Sequence, residues 1–280
     1  MRFAWIDAKK AHYTVAELCK ALQVERSGYY AWRGRGESAR DIANRKLVVE
    51  IRASFATFDH RYGSPRLHRE VGACRHRVAR LMRQEGLVAR PKRRFCKTTD
   101  SLHDWKTPKN LLGRNFEVPE QDRVWAGDVT YLRTNEGFLY LAVLLDLYSR
   151  RVVGWAMSEH NDEKLTLAAL HMAVEQRQPA PGVLHHTDRG STYASGAYQD
   201  ALTNYDMICS MSRKGNCWDN AVSESFFSTL DFECNHQHSF VSRAAARRDV
   251  ADYILRFYNP TRLHSYLGYM SPMDFERAAR

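Results

Sequence analysis

The stretch Asp122–Leu132, DRVWAGDVTYL, followed by Gly137–Leu147, GFLYLAVLLDL, and Arg151–Met157, RVVGWAM, decides how this 280-residue chain is read. All three runs are short and rich in aromatic and β-branched residues, and turn formers separate them: Asn135-Glu136-Gly137 and Tyr148 to Arg150. That texture predicts three consecutive strands, and connections this short make them antiparallel. One residue breaks the pattern. Asp128 stands inside an apolar strand, where a charge without a partner is costly unless a metal ion or a cation offsets it.

Downstream, the pattern predicts a helix over 162–176, a strand over 182–186, a helix near 195–202, a short strand over 207–210 and a helix starting near 218–220. The order βββαβαβα, with helices on both faces of a mixed sheet, is an α/β arrangement of the ribonuclease-H-like kind. Asp188 follows the strand ending in His185-His186, at a carboxyl end where such sheets open their crevices. Glu224 lies on the last helix. There Val222, Phe226 and Leu230 share one face, while Asn220, Glu224 and Asp231 point another way.

Any one of these acids alone reads as a surface ion pair. Together, in strand, strand-end and helix order, Asp128, Asp188 and Glu224 would repel one another, and two hard divalent cations, Mg²⁺ or Mn²⁺, would remove that conflict. Two ions so held activate water or a 3′-hydroxyl for in-line attack on a phosphodiester. Asp146, a fourth acid at a strand end, reads as structural, pairing Arg150 or Arg151.

The formal net charge of +10 is divided unevenly: residues 1–120 carry 26 Lys+Arg against 13 Asp+Glu, and the remaining 160 carry 16 against 19. A basic first segment points to a polyanionic partner, because neutralised phosphates release condensed counterions. Two helix pairs sit in it. Residues 14–33 begin with a Thr14–Glu17 capping box and fit a helix-turn-helix or a packing hairpin. In residues 62–87 Gly72 breaks the pair, and the second helix buries Val78, Leu81 and Met82 while presenting Arg75, Arg77, Arg80 and Arg83 as a DNA-facing set. Residues 89–110 read as a basic linker. The domains expected are therefore 1–115, basic, all-helical and DNA-binding; 116–235, the catalytic core; and 236–280, a helical tail that packs.

No apolar run suits a signal peptide or a membrane span, so the expected place is the cytoplasm, on the nucleoid. Six scattered cysteines read as reduced thiols. A zinc site from Cys209, Cys217, Cys234, His236 and His238 matches no standard ligand spacing.

Several segments resemble the second-frame product of the bacterial insertion sequence three family, a group related to retroviral integrases: LCKALQVERSGYYAW, YGSPRLHRE, RVARLMRQEGL, VWAGDVTYL, LAVLLDLYSRRVVGWAM, HTDRGSTYAS, SMSRKGNCWDNAVSESFFSTL and YNPTRLHSYLGYMSP. The 35 residues between Asp188 and Glu224 match the spacing of that family's catalytic motif. The resemblance implies a DDE transposase that cleaves and transfers DNA strands, with Asp128, Asp188 and Glu224 as catalytic metal ligands. It implies Arg213, Lys214 and Asn220 as contacts to DNA ends, with loop shaping as the other reading. It also implies double-stranded DNA as partner (terminal inverted repeats and target), an upstream-frame helix-turn-helix protein that frameshifting can fuse to this chain, and homo-oligomers on DNA. Two departures stand out. Only GAC separates HREV from RHRVARLM, where the family has a longer connection, and Asp231 occupies a position that is basic in the family. Seven residues beyond Glu224, about 10.5 Å along the axis, Asp231 overlooks the same surface and would repel phosphate. The alternative function is thus a catalytically impaired DNA-binding protein or regulator.

Overall fold

The computed structural model describes residues 2–89, 108–213, 217–234 and 239–279. The chain divides into two compact units, Met1–Val88 and Ala89–Arg280.

The first unit is all-helical: α1 (Arg2–Lys9), α2 (Val15–Ala21), α3 (Arg26–Gly34), α4 (Ala39–Thr57), α5 (Ser64–Glu70) and α6 (Arg75–Gln84). The expected capping box forms, with the Thr14 side chain accepting from the Glu17 amide while the Glu17 carboxylate accepts from the Thr14 amide. Ile6, Leu18, Cys19 and Tyr29 then close a small core over α1 to α3. Helices α1 and α4 come in addition to those expected, and α4 buries Leu47, Ile51 and Phe55 at four-residue spacing. The short connection after α5 is met by a tight turn through Gly72, whose φ of +60° favours glycine.

In the second unit the order is β1 (Val124–Thr134), β2 (Gly137–Asp146), β3 (Val152–Ser158), α7 (Glu163–Arg177), β4 (Leu184–Thr187), α8 (Ser191–Ala194), α9 (Gly196–Asn204), β5 (Ile208–Met211), a 3-10 turn Cys217–Asn220 and α10 (Ala221–Glu233). The five strands lie side by side as β3-β2-β1-β4-β5. As expected, β1, β2 and β3 pair antiparallel, and β4 and β5 add in parallel to β1. Alternation along β1 sets the layers: Trp125 enters the core with Leu165, Ala169 and Tyr198, whereas Ala126 enters a separate cluster with Leu147 and Val222. Helix α7 therefore covers one face and α10 the other. Glycine at 154 is required, because a Cβ there would lie 2.3 Å from the Ala169 carbonyl of α7.

The segment after α10 holds α11 (Arg243–Asp252), a π-helical turn Tyr253–Tyr258 and α12 (Pro272–Ala278). The Asn259 side chain brackets Val152, accepting from its amide at 3.0 Å and donating to its carbonyl at 2.9 Å. Glu276 accepts from Ser149, Arg151 and Arg177. Glu233 at the end of α10 is buried against Arg262 and Tyr253. Through these bonds residues 239–279 share one compact unit with the sheet. No helix among the described residues is long and apolar enough to cross a membrane.

Candidate active site

Asp128 lies two residues beyond Ala126 on β1, so alternation turns it toward the face that α10 covers. Parallel pairing sets His186 of β4 beside Ala126, and Asp188 follows two residues later. Helix α10 begins at Ala221 and carries Glu224 in its first turn. The three acids thus come from β1, the end of β4 and α10, as the sequence order anticipates. As whole residues all three are of intermediate burial, and the Asp128 carboxyl is itself strongly desolvated.

The Asp128 carboxyl is held well above the usual carboxylate range, by desolvation first, then by the charge of Asp188, and last by Glu224; a hydrogen bond from the Val129 amide works the other way. Asp188 is shaped locally, with Oδ1 accepting from the Gly190 amide at 2.8 Å. Among the described residues, no group of three His, Cys, Asp or Glu side chains is already gathered in metal-holding geometry.

Beside the acids sits a network not foreseen from the sequence. Asp219 is 0% exposed, and its carboxylate accepts from Asn110 Nδ2 (2.8 Å), Arg114 Nε (2.8 Å), the Arg213 amide (3.0 Å) and the Arg213 guanidinium (3.0 and 2.9 Å). Hydrogen bonding from Arg213 above all, with help from Arg114 against desolvation, holds its carboxyl well below the usual range. The Asp219 carbonyl accepts from or faces His186 Nε2 at 3.1 Å, and His186 Nδ1 meets Ser210 Oγ at 2.8 Å. His185, on the opposite face, shares a 2.8 Å hydrogen bond with the Tyr198 hydroxyl. Burial keeps both imidazoles neutral, His185 with a pKa of about 3 and His186 of about 4.

Several expectations are corrected by these contacts. Asn220 is 5% exposed, with Nδ2 directed at the Gly127 carbonyl at 3.4 Å, a contact in keeping with the loop-shaping reading. Arg213 is exposed but committed to Asp219. Asp146 is structural, as expected, yet its carboxylate takes the Asp122 amide and the Ser149 amide and hydroxyl, whereas Arg150 and Arg151 bond Phe116 and Glu276. Of the α6 arginines, Arg75 and Arg83 are exposed; Arg77 is partly buried on Asn44 and Arg80 leans on Gln84. Lys214, His236 and His238 lie outside the described residues, while Cys19, Cys74 and Cys209 are free thiols.

Comparison with known proteins agrees with this architecture. Integrase core domain models match residues 119–217 and 205–272, and an HTH-like domain model matches 42–95. The Transposase InsF for insertion sequence IS3A of Escherichia coli (strain K12) is 40% identical over 283 residues, covering 99% of this chain and 98% of that one. The chain belongs to the IS3 transposase family. This transposase is also 39% identical over 263 residues to the insertion element IS600 uncharacterized 31 kDa protein of Shigella sonnei, with 92% and 97% of the two chains covered. The HTLV-2 integrase catalytic core domain, solved in complex with magnesium, aligns with 55% of this chain and 96% of its own at 15% identity and a TM-score of 0.43. From the family models and the insertion-sequence relatives, the transposase is a polynucleotidyl transferase with an integrase core of ribonuclease-H-like architecture and a helical HTH-like region before it.

Proposed function

We propose that Asp128, Asp188 and Glu224 are the metal-binding catalytic residues with which this transposase cleaves and joins DNA at insertion-sequence ends. One observation carries the reading: the ionisation of Asp128 is opposed by the charges of both Asp188 and Glu224, so the three carboxylates share one electrostatic neighbourhood. All-oxygen donors and mutual like charge fit a hard divalent cation, Mg²⁺ or Mn²⁺, and two ions answer the charge of three acids. Such ions supply Lewis acidity and a nucleophilic oxygen at neutral pH. The chain's own task is to hold its donors in register. β1 fixes Asp128 through its pairing with β2 and β4, the Gly190 amide orients Asp188, and α10 is seated by Phe226, Phe227 and Leu230. Divalent ions would be held by these three carboxylates and would offset their mutual repulsion.

Double-stranded DNA is the substrate, both the element's terminal inverted repeats and the target. The exposed Arg75 and Arg83 of α6 are suited to the duplex, where cationic contacts supply affinity and orientation. The reading includes an upstream-frame helix-turn-helix partner and assembly of several copies on DNA. Thermal unfolding of the whole chain against Mg²⁺ concentration tests the metal assignment. The wild type gains several degrees while Asp188→Asn and Glu224→Gln gain little; an equal gain in all three sinks it.

A further inference from the structure

Asp219 and Asn220 touch, between them, every element that carries a catalytic acid. The Asp219 carbonyl lies 3.1 Å from Nε2 of His186, two residues before Asp188. The Asn220 amide nitrogen reaches the carbonyl of Gly127, the residue before Asp128. Helix α10 starts at the next residue, and Glu224 follows one turn on. Asp219 is itself fixed from outside, by Arg213 at the end of β5 and by Asn110 and Arg114 from a segment more than a hundred positions earlier. That segment is tied down once more, through the Leu111 amide to Ser210 Oγ at 2.9 Å, and the same Ser210 hydroxyl meets His186. Among the described residues the Asn220 Oδ1 atom is buried with no hydrogen-bond partner.

We infer that Asp219 and Asn220 form a positioning pair that sets the distance between the Glu224 helix and the two aspartate strands, and so the affinity of the site for its divalent ions. Neither touches the reacting atoms. Their buried, charge-assisted anchorage fixes the start of α10, and an error there is carried one turn to Glu224. This rests on the metal assignment of the preceding section.

The test is Mn²⁺ affinity of the full-length protein, with free Mn²⁺ followed by electron paramagnetic resonance and folding checked by thermal unfolding. Asp219→Asn and Asn220→Ala are expected to weaken Mn²⁺ binding about tenfold, the loss usual when a residue supporting metal ligands is removed. Affinity for a duplex carrying the element end should change less than about twofold, since phosphate contact is a separate, sequence-independent term. Arg114→Gln removes one partly exposed partner, leaves Arg213 in place, and should give a smaller loss of about threefold, which decides the matter if the buried variants do not fold. Wild-type Mn²⁺ affinity in folded variants overturns the inference, as does a loss confined to DNA affinity, which would assign Arg213 to the duplex instead. Glu224→Gln is the reference. If it too binds Mn²⁺ as the wild type does, the carboxylate assignment has failed and the positioning pair falls with it.

Discussion

Two acids a few residues from each other's elements meet opposite fates. Asp219 is the more deeply buried, yet it is held ionised well below the ordinary carboxylate range because Arg213, Arg114 and Asn110 surround it. Asp128 is partly exposed, yet its ionisation is driven well above that range because desolvation is reinforced by Asp188 and Glu224. At Asp219 the partners outweigh burial, whereas at Asp128 desolvation leads and like charge adds to it. One acid brings its cations from within the chain and serves the architecture; the other, as proposed above, takes its cations from outside. His185 shows a third solution, since it is buried and stays neutral.

The comparison breaks most readily at Asp128. Asp128→Asn should cut strand transfer by roughly a thousandfold, the loss expected when several kcal/mol of charge stabilisation is withdrawn. The metal-free protein should nevertheless unfold at a slightly higher temperature, because one repelling charge is gone. Asp219→Ala should do the reverse to stability, costing about 3 kcal/mol in denaturant unfolding. That is the low end for opening a buried charged network, because both arginines reach solvent. If the two substitutions moved stability in the same direction, the contrast drawn between the acids would be wrong.

His185 gives a pH-dependent effect of intermediate size. Its folded pKa of about 3 lies below the ordinary 6.5, so the unfolded chain takes up a proton that the fold refuses. Stability is complete above about pH 6.5 and falls as the pH drops toward 3, by about 2 kcal/mol at pH 5. Unfolding midpoints of His185→Gln, which cannot take up that proton, should have a shallower slope between pH 7 and 5; matching slopes would rule His185 out as the source. Asp146 works in the opposite sense over part of this range. Burial raises it to about 6, so the fold holds its proton more tightly than the unfolded chain does between about pH 4 and 6.

The smallest effect belongs to the exposed Asp231 on the same helix as Glu224. Asp231→Lys should raise affinity for element ends by no more than about fivefold, in keeping with exposed charges worth up to about 1 kcal/mol, and added salt should erase the gain. An affinity unchanged at low salt would show that this position does not overlook the DNA.

How much of this was legible in the sequence follows from the range of each interaction. The strands of the sheet are local patterns, and β2 and α7 fall within one or two residues of expectation. Asp128 was conspicuous because a charge inside an apolar strand is anomalous wherever it occurs. Asp219 was not, for its partners Asn110 and Arg114 stand 109 and 105 positions away, and nothing local distinguishes it from any acid beside a turn. A sequence signal existed only in the basic Arg213 and Lys214 just before it. For Asn220 the sequence left DNA contact and loop shaping both open for a related reason: burial against the Gly127 carbonyl is a property of β1 and α10 together. The tail was expected to pack, but its particular attachments, Asn259 to Val152 and Glu276 to Arg177, are likewise long-range and carry no local signal.

Strand transfer of labelled insertion-sequence ends in Mg²⁺, comparing the wild type with Asp188→Asn and Glu224→Gln, tests the central claim most directly. The account predicts joined product from the wild type alone, with both variants still folded and still binding the ends. Equal product from all three proteins would contradict it.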